Sequence, residues 1–357
     1  MLFGSSSSDG GCRLDLNPLK PEDIPSPESP EFQQFLDDYF ALGTTLIESM
    51  GDWNHHSVKH DGTVQILNLT SSSTYNDIRK SLGIKEYWCG RQSHHTSDSV
   101  RAISQPQPRP RHSNDTGSKR DSGTFNPREL VRSLSHKLSK HPDIPSPPSG
   151  VNNNGNRNGS AIVEEPEETT EVERQALVMQ STPDGLYERF RRGLLEYHSE
   201  NEREYIEACR ETEPLHIYQK HVAEVWRLTY NTPPPTNPRT FVVLLLSREL
   251  KSEPRGQRAF MNISIPFIHP DCPEKKGGEK SRVRGKYVSV ERVRELESGD
   301  GVEWRMATSS DAGGNIPRFV TNSSLPSSIA EDVPSFLKWM VGRFPEGGDV
   351  GSKPVPA

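Results

Sequence analysis

Cysteine is scarce in this chain: Cys12, Cys89, Cys209 and Cys272 are the only four, far apart and without a C-x-x-C pair. That spacing suggests neither a zinc cluster nor a compact disulfide framework, and it suits a reducing compartment. Long apolar runs are missing too. Nothing approaches the roughly 18 consecutive apolar residues of a membrane span. The start MLFGSSSSDGG has neither the basic nor the apolar region of a secretory leader. A cytoplasmic protein is expected.

There is also no surplus of positive charge. A net charge of -6 and a pI near 6.1 argue against binding polyanions over the whole surface, and no nucleic-acid partner is expected. Only 31% of the 357 residues are apolar, against 27 glycines and 30 prolines, which indicates one core with long unfolded additions. No nucleophile elbow, H-E-x-x-H or phosphate loop occurs, so neither a cofactor nor a metal is expected. The spacing His56-x-x-x-His60 would suit a metal, but it falls in a polar, irregular stretch.

Against these absences stand several patterned segments. Residues 1–30 are rich in Ser, Gly and Pro and read as a disordered tail. Residues 31–100 open with EFQQFLDDYFALGTTLIESM, whose Phe32, Phe35, Leu36, Tyr39, Leu46, Ile47 and Met50 fall at helical spacing. GTVQILNL and KEYWCGRQS then read as short strands, which must join a sheet supplied from elsewhere. Residues 101–183 are a polar, breaker-rich insert expected to be disordered. Within it, NPRELVRSLSHKLSKH (126–141) reads as a short basic amphipathic helix capable of transient contact with an anionic membrane surface. EEPEETTEVE (164–173) is acidic, and Arg101-Ala-Ile-Ser104 and Arg132-Ser133-Leu134-Ser135 resemble phosphorylation sites.

From 184 to 343 the chain becomes regular. Asp184 suits a helix cap, and Ser199-x-x-Glu202 reads as a capping box for a second helical stretch. Five strand candidates follow, at 222–230, 240–250, 258–267, 285–296 and 302–310, joined by turn-rich connections. Short turns between successive strands predict an antiparallel meander. Alternation places Trp226, Leu228, Met261, Ile263, Trp304 and Met306 on one apolar face and leaves the other wet. After Asp311-Ala-Gly-Gly314 a helix interrupted at Pro326 carries Ile316, Phe319, Val320, Ile329, Val333, Phe336, Leu337 and Met340. That helix covers the sheet. Residues 344–357 read as a second disordered tail.

The closing segment GGNIPRFVTNSSLPSSIAEDVPSFLKWM resembles the terminal helix of START-like, or helix-grip, lipid-transfer domains, and within that superfamily an uncharacterised fungal family. WCGRQSHH (88–95) is similar to its W-x-x-R-x-S-x-H box and LLEYHSENEREYI (194–206) to its His-Ser-x-x-Glu helix. The resemblance spans about 30–100 and 184–343. Both GTFNPREL (123–130) and GLYERF (185–190) fit the Gly-helix segment that follows the box. It implies an α+β helix-grip fold, a curved antiparallel sheet closed by a long broken C-terminal helix, with a lipid or other hydrophobic small molecule held between them.

Such a cavity would be lined by Trp226, Leu228, Met261, Ile263, Trp304, Met306, Val320, Val333, Phe336 and Leu337. The same side chains could equally fill a solid core. Polar candidates for the ligand's head group are Arg91, Ser93, His94, His198, Arg227, Arg258 and Arg305. Alternation favours the outer face for Arg227 and Arg305. Two other readings stay open: a non-enzymatic interaction or scaffold protein with a phospho-regulated insert, and a helix-grip enzyme of cyclase or hydrolase type using the histidines. No catalytic residue is assigned.

Overall fold

A computed structural model describes residues 12–70, 76–104, 185–232, 236–251, 257–273 and 283–345. The insert beyond residue 104, with its 126–141 helix, its acidic run and the segment GTFNPREL, lies outside the described residues. So does the tail after 345.

The first long helix, α1 (Pro30–Ser49), begins with proline at a position where its missing N–H costs nothing, and buries Phe32, Leu36, Tyr39, Phe40, Leu46 and Ile47 along one face. Residues 12–29 depart from the expected free tail. Leu14, Leu16 and Ile24 are buried in the core beside α1. The Leu19 N–H donates to Pro266 O and its carbonyl accepts from Ile268 N, each at 2.8 Å. These few leucines, spaced through polar sequence, carry too little periodicity to announce a segment that packs as a strap.

The strands are β1 (Asn54–Lys59), β2 (Val64–Leu69), β3 (Trp88–Thr96), β4 (Cys209–Gln219), β5 (Ala223–Tyr230), β6 (Arg239–Leu250), β7 (Ala259–Pro266), β8 (Val283–Arg284), β9 (Lys286–Glu295) and β10 (Gly301–Asp311). They form a 10-stranded sheet in the order β1-β2-β3-β10-β9-β7-β6-β5-β4, with β8 added alongside β6. Every pairing is antiparallel except that of β6 with β8. The N-terminal pair β2–β3 docks on the last strand, β10, so the two ends of the chain share one sheet. Both edges are blunted: β1 carries a bulge and ends in a lysine, and β4 has three register shifts and contains Pro214.

The sheet is covered on both faces, and here the expected wet face is wrong. On one side α1 lies over β7, β9 and β10. On the other lie α4 (Leu186–Arg191), a π turn (Arg192–Glu196), α5 (His198–Tyr205) and the last helix, α6 (Arg318–Arg343). Two shorter helices, α2 (Asn76–Ser81) and α3 (Ser97–Ser104), flank β3. Pro326 and Pro334 lie inside α6, each removing one donor from its ladder.

The π turn frees carbonyls that an α-helix would use. Asn201 Nδ2 takes up two of them, donating to Arg192 O at 3.2 Å and Gly193 O at 2.9 Å. Gly193 also lets α6 approach: a Cβ there would sit 2.7 Å from Phe336 Cε2. Gly193→Ala is therefore expected to destabilise the protein by about 1–3 kcal/mol, read as a lowered urea midpoint at unchanged m-value. An unchanged midpoint would show that Phe336 can move aside freely.

Candidate functional site

The face turned towards α6 is read most directly as rows running across the strands. One row joins Glu249, Phe260, Val293, Trp304, Ser93 and Val64 in register, and is closed by Phe190 and Phe336. Phe190, Trp304 and Phe336 make mutual edge-on contacts at 5.1–5.5 Å between ring centres. This is a packed apolar floor.

The next row is polar: Ser247, Asn262, Glu291, Met306 and Arg91, followed by Ile66. Arg91 reaches across β10 to Glu291, donating from Nη2 to Oε1 at 3.1 Å, with its guanidinium 3.9 Å above the Trp304 ring. Trp304 Nε1 donates to the same oxygen at 2.8 Å. His198 Nδ1 lies 2.8 Å from Leu194 O and 3.9 Å from Glu291 Oε2. Asn262 Nδ2 donates to Leu194 O at 2.8 Å. Burial works against the Arg91 charge, and Glu291 and then Asp332 oppose that loss.

Above this row the side chains become small, with Ser264, Ser289, Thr308 and Cys89 in register. Beyond them Tyr230, Phe241 and Tyr287 form an edge-on aromatic chain at 5.6 and 5.4 Å. These three and Met306 are only half-buried although they lie on a covered face. The first turns of α6 stand open: Phe319 is 73% exposed and Val320 40%. Glu202 on α5 accepts a hydrogen bond from Tyr230, and burial pushes its carboxyl up towards the neutral acid. Behind His198, a crevice of about 10 Å³ lined by Glu200, His221, Glu224 and Ser247 has room for one water molecule.

A ten-stranded, almost wholly antiparallel sheet with the C-terminal helix laid over β2, β3 and β10 decides the architecture. This is the α+β helix-grip arrangement expected from the sequence. Residues 172–340 match a family described as "Protein of unknown function (DUF3074)". An uncharacterised protein of Schizosaccharomyces pombe, C577.11, is 24% identical over 163 residues, 44% of this chain. The match spans 65% of that protein's length. Among solved structures, human StAR-related lipid transfer protein 5 aligns with a TM-score of 0.48 and 12% identity over 88% of this chain and 99% of its own. Human STARD10 aligns with a TM-score of 0.43 and 10% identity over 86% of this chain and 80% of its own.

The grip divides the expected lining residues. Trp226, Leu228, Trp304, Val333, Phe336 and Leu337 are buried on the α6 side, and half-buried Met306 joins them. Met261 and Ile263 instead face α1, where their side chains lie 2.9 Å from where a Cβ on Gly43 would stand. β7 is buried along its whole length. Its polar residues Asn262 and Ser264 take the α6 side because the hydrogen-bonding groups are there. Val320 is corrected as well: it sits on the exposed part of α6.

Among the polar candidates, Arg91 and His198 converge on Glu291. Ser93 pairs with His95, whose Nε2 lies 2.8 Å from its Oγ and whose imidazole is held down at about 4, first by burial and then by Arg91. His94 turns to the α1 side, 3.5 Å from Glu303. Arg305 goes the same way, 2.9 Å from that carboxylate, and Arg227 pairs with Glu213 on the sheet edge. Arg258 lies over the Tyr187 ring between Glu188 and Glu295, as part of the scaffold. Sequence reasoning missed Glu291, Asn262 and the tyrosines. The signal for Asn262 was present, since an amide at the centre of the apolar run AFMNISIPF needs a partner.

Proposed function

We propose that the protein binds a lipid or other hydrophobic small molecule between the concave face of the sheet and α6, in a reducing cytoplasmic setting that suits its free cysteines. One observation carries this reading: the guanidinium of Arg91, 2% exposed, has no hydrogen-bond partner at Nε and Nη1 among the described residues. A buried charge with unused donors is costly in a finished core. It is useful where an amphiphile enters, because apolar burial drives entry and a few polar groups fix orientation. The open first turns of α6 and the half-buried aromatic chain on the same face of the sheet are where we place the route in. Among the described residues, no helix is long and apolar enough to cross a membrane.

Native mass spectrometry of protein purified from a eukaryotic host, followed by lipid extraction, is expected to find a co-purifying lipid. Val333→Trp on the buried side of α6 should block uptake and leave the fold intact. Absence of any bound or exchangeable lipid would count against the proposal, and so would a Trp variant that takes up lipid normally.

A further inference from the structure

Two side chains on the sheet face under α6, each 2% exposed, hold polar atoms that have no hydrogen-bond partner among the described residues: Arg91 at Nε and Nη1, and Asn262 at Oδ1. The first two atoms donate and the last accepts. They meet over one residue, because Arg91 reaches Glu291 on β9 and Asn262 stands beside Glu291 on the neighbouring β7. The Asn262 amide is fixed in orientation by its Nδ2 bond to Leu194 O, so Oδ1 is the atom left over.

The Arg91 charge is already matched here without an added anion. Arg91 is paired with Glu291 and also feels Asp332 on α6. Glu202, on α5, is pushed towards its neutral form by burial. A carboxylate or phosphate entering beside Arg91 would meet the Glu291 carboxylate, 3.1 Å from that guanidinium, in a place where little water screens them. A ketone, ether or ester would satisfy Arg91 but leave Asn262 Oδ1 unpaired.

We infer that the ligand is an uncharged lipid whose polar end both donates and accepts, a hydroxyl or an amide, giving its hydrogen to Asn262 Oδ1 and taking one from Arg91. This rests on the lipid-binding reading above and narrows it to a chemical class. Asn262 is then the residue that sets specificity. Its loss removes the demand for a donor while the apolar part of the ligand still binds.

The full chain, stripped of co-purifying lipid, would be titrated with matched probes: decanol, decanamide, decanone, decanoate and decyl phosphate. Decanol and decanamide are expected to bind at least about tenfold more tightly than the other three, the factor that one hydrogen bond to a buried group provides. In Asn262→Leu the preference for decanol over decanone should vanish. If that variant does not fold, the decanol and decanone comparison on the native chain decides alone. Equal affinity for decanone, or tighter binding of decanoate or decyl phosphate, overturns the inference and leaves lipid binding standing. Binding of none of the five overturns both.

Discussion

Replacing Glu291 by leucine is expected to lower the stability of the protein by about 3–5 kcal/mol, because it strands the Arg91 charge in the interior. Arg91 is 2% exposed, and Glu291 accepts a hydrogen bond from it. The same carboxylate accepts from Trp304 Nε1, so the substitution leaves a second donor unpaired. Arg91→Met is expected to cost a comparable amount by stranding Glu291. The double variant Arg91→Met, Glu291→Leu should recover most of the loss, since removing both charges removes the desolvation penalty that the pair exists to offset. Urea denaturation of the four proteins gives the coupling directly. Additive losses in the double variant would mean that Arg91 and Glu291 stabilise the fold separately and that the site is not a coupled ion pair.

This pair also marks how far the sequence could be read. The five C-terminal strands, α1 and the covering helix were legible because each carries a strong period and is bounded by prolines and glycines. β1 and β4 were not. NHHSVK and CRETEPLHIYQ are edge strands with little to bury, so their residues lack the alternation that burial imposes. Face assignment failed at β7 for the opposite reason: every position is buried, so polarity there reports what faces the ion pair and not what faces solvent. Arg91 and His198 were picked out by residue type within motifs that resemble a family. Glu291 lies in the strand KYVSVERVRE among other charged residues, and nothing local separates it from Arg292 or Arg294. Only the registers of β9 on β10 and of β10 on β3 bring it to Arg91, 200 positions away in sequence.

The strand that presents Glu291 to one face presents Arg292 and Arg294 to the other, and there the expected result is a dependence on acid. Glu303 is buried on the α1 side, with Arg292 at 3.3 Å, Arg294 at 3.1 Å, Arg305 at 2.9 Å and His94 at 3.5 Å. Burial alone would raise its carboxyl. The hydrogen bond from His94 and the charges of Arg305, Arg294 and Arg292 outweigh that and hold it at about 2, below an ordinary value of 4.5. A carboxylate depressed on folding contributes its full stability above the unfolded value and loses it as pH falls through the folded one. The window therefore runs from about 4.5 down to about 2. The shift corresponds to roughly 3 kcal/mol. Glu303→Gln is expected to be less stable than the native chain by about that amount at neutral pH, with the gap closing as both are taken down through the window. Denaturant midpoints measured in steps from neutral to strongly acidic buffer give the two curves. Parallel curves, with a gap that stays constant through the window, would show that Glu303 is held by packing and that the surrounding cations contribute nothing specific.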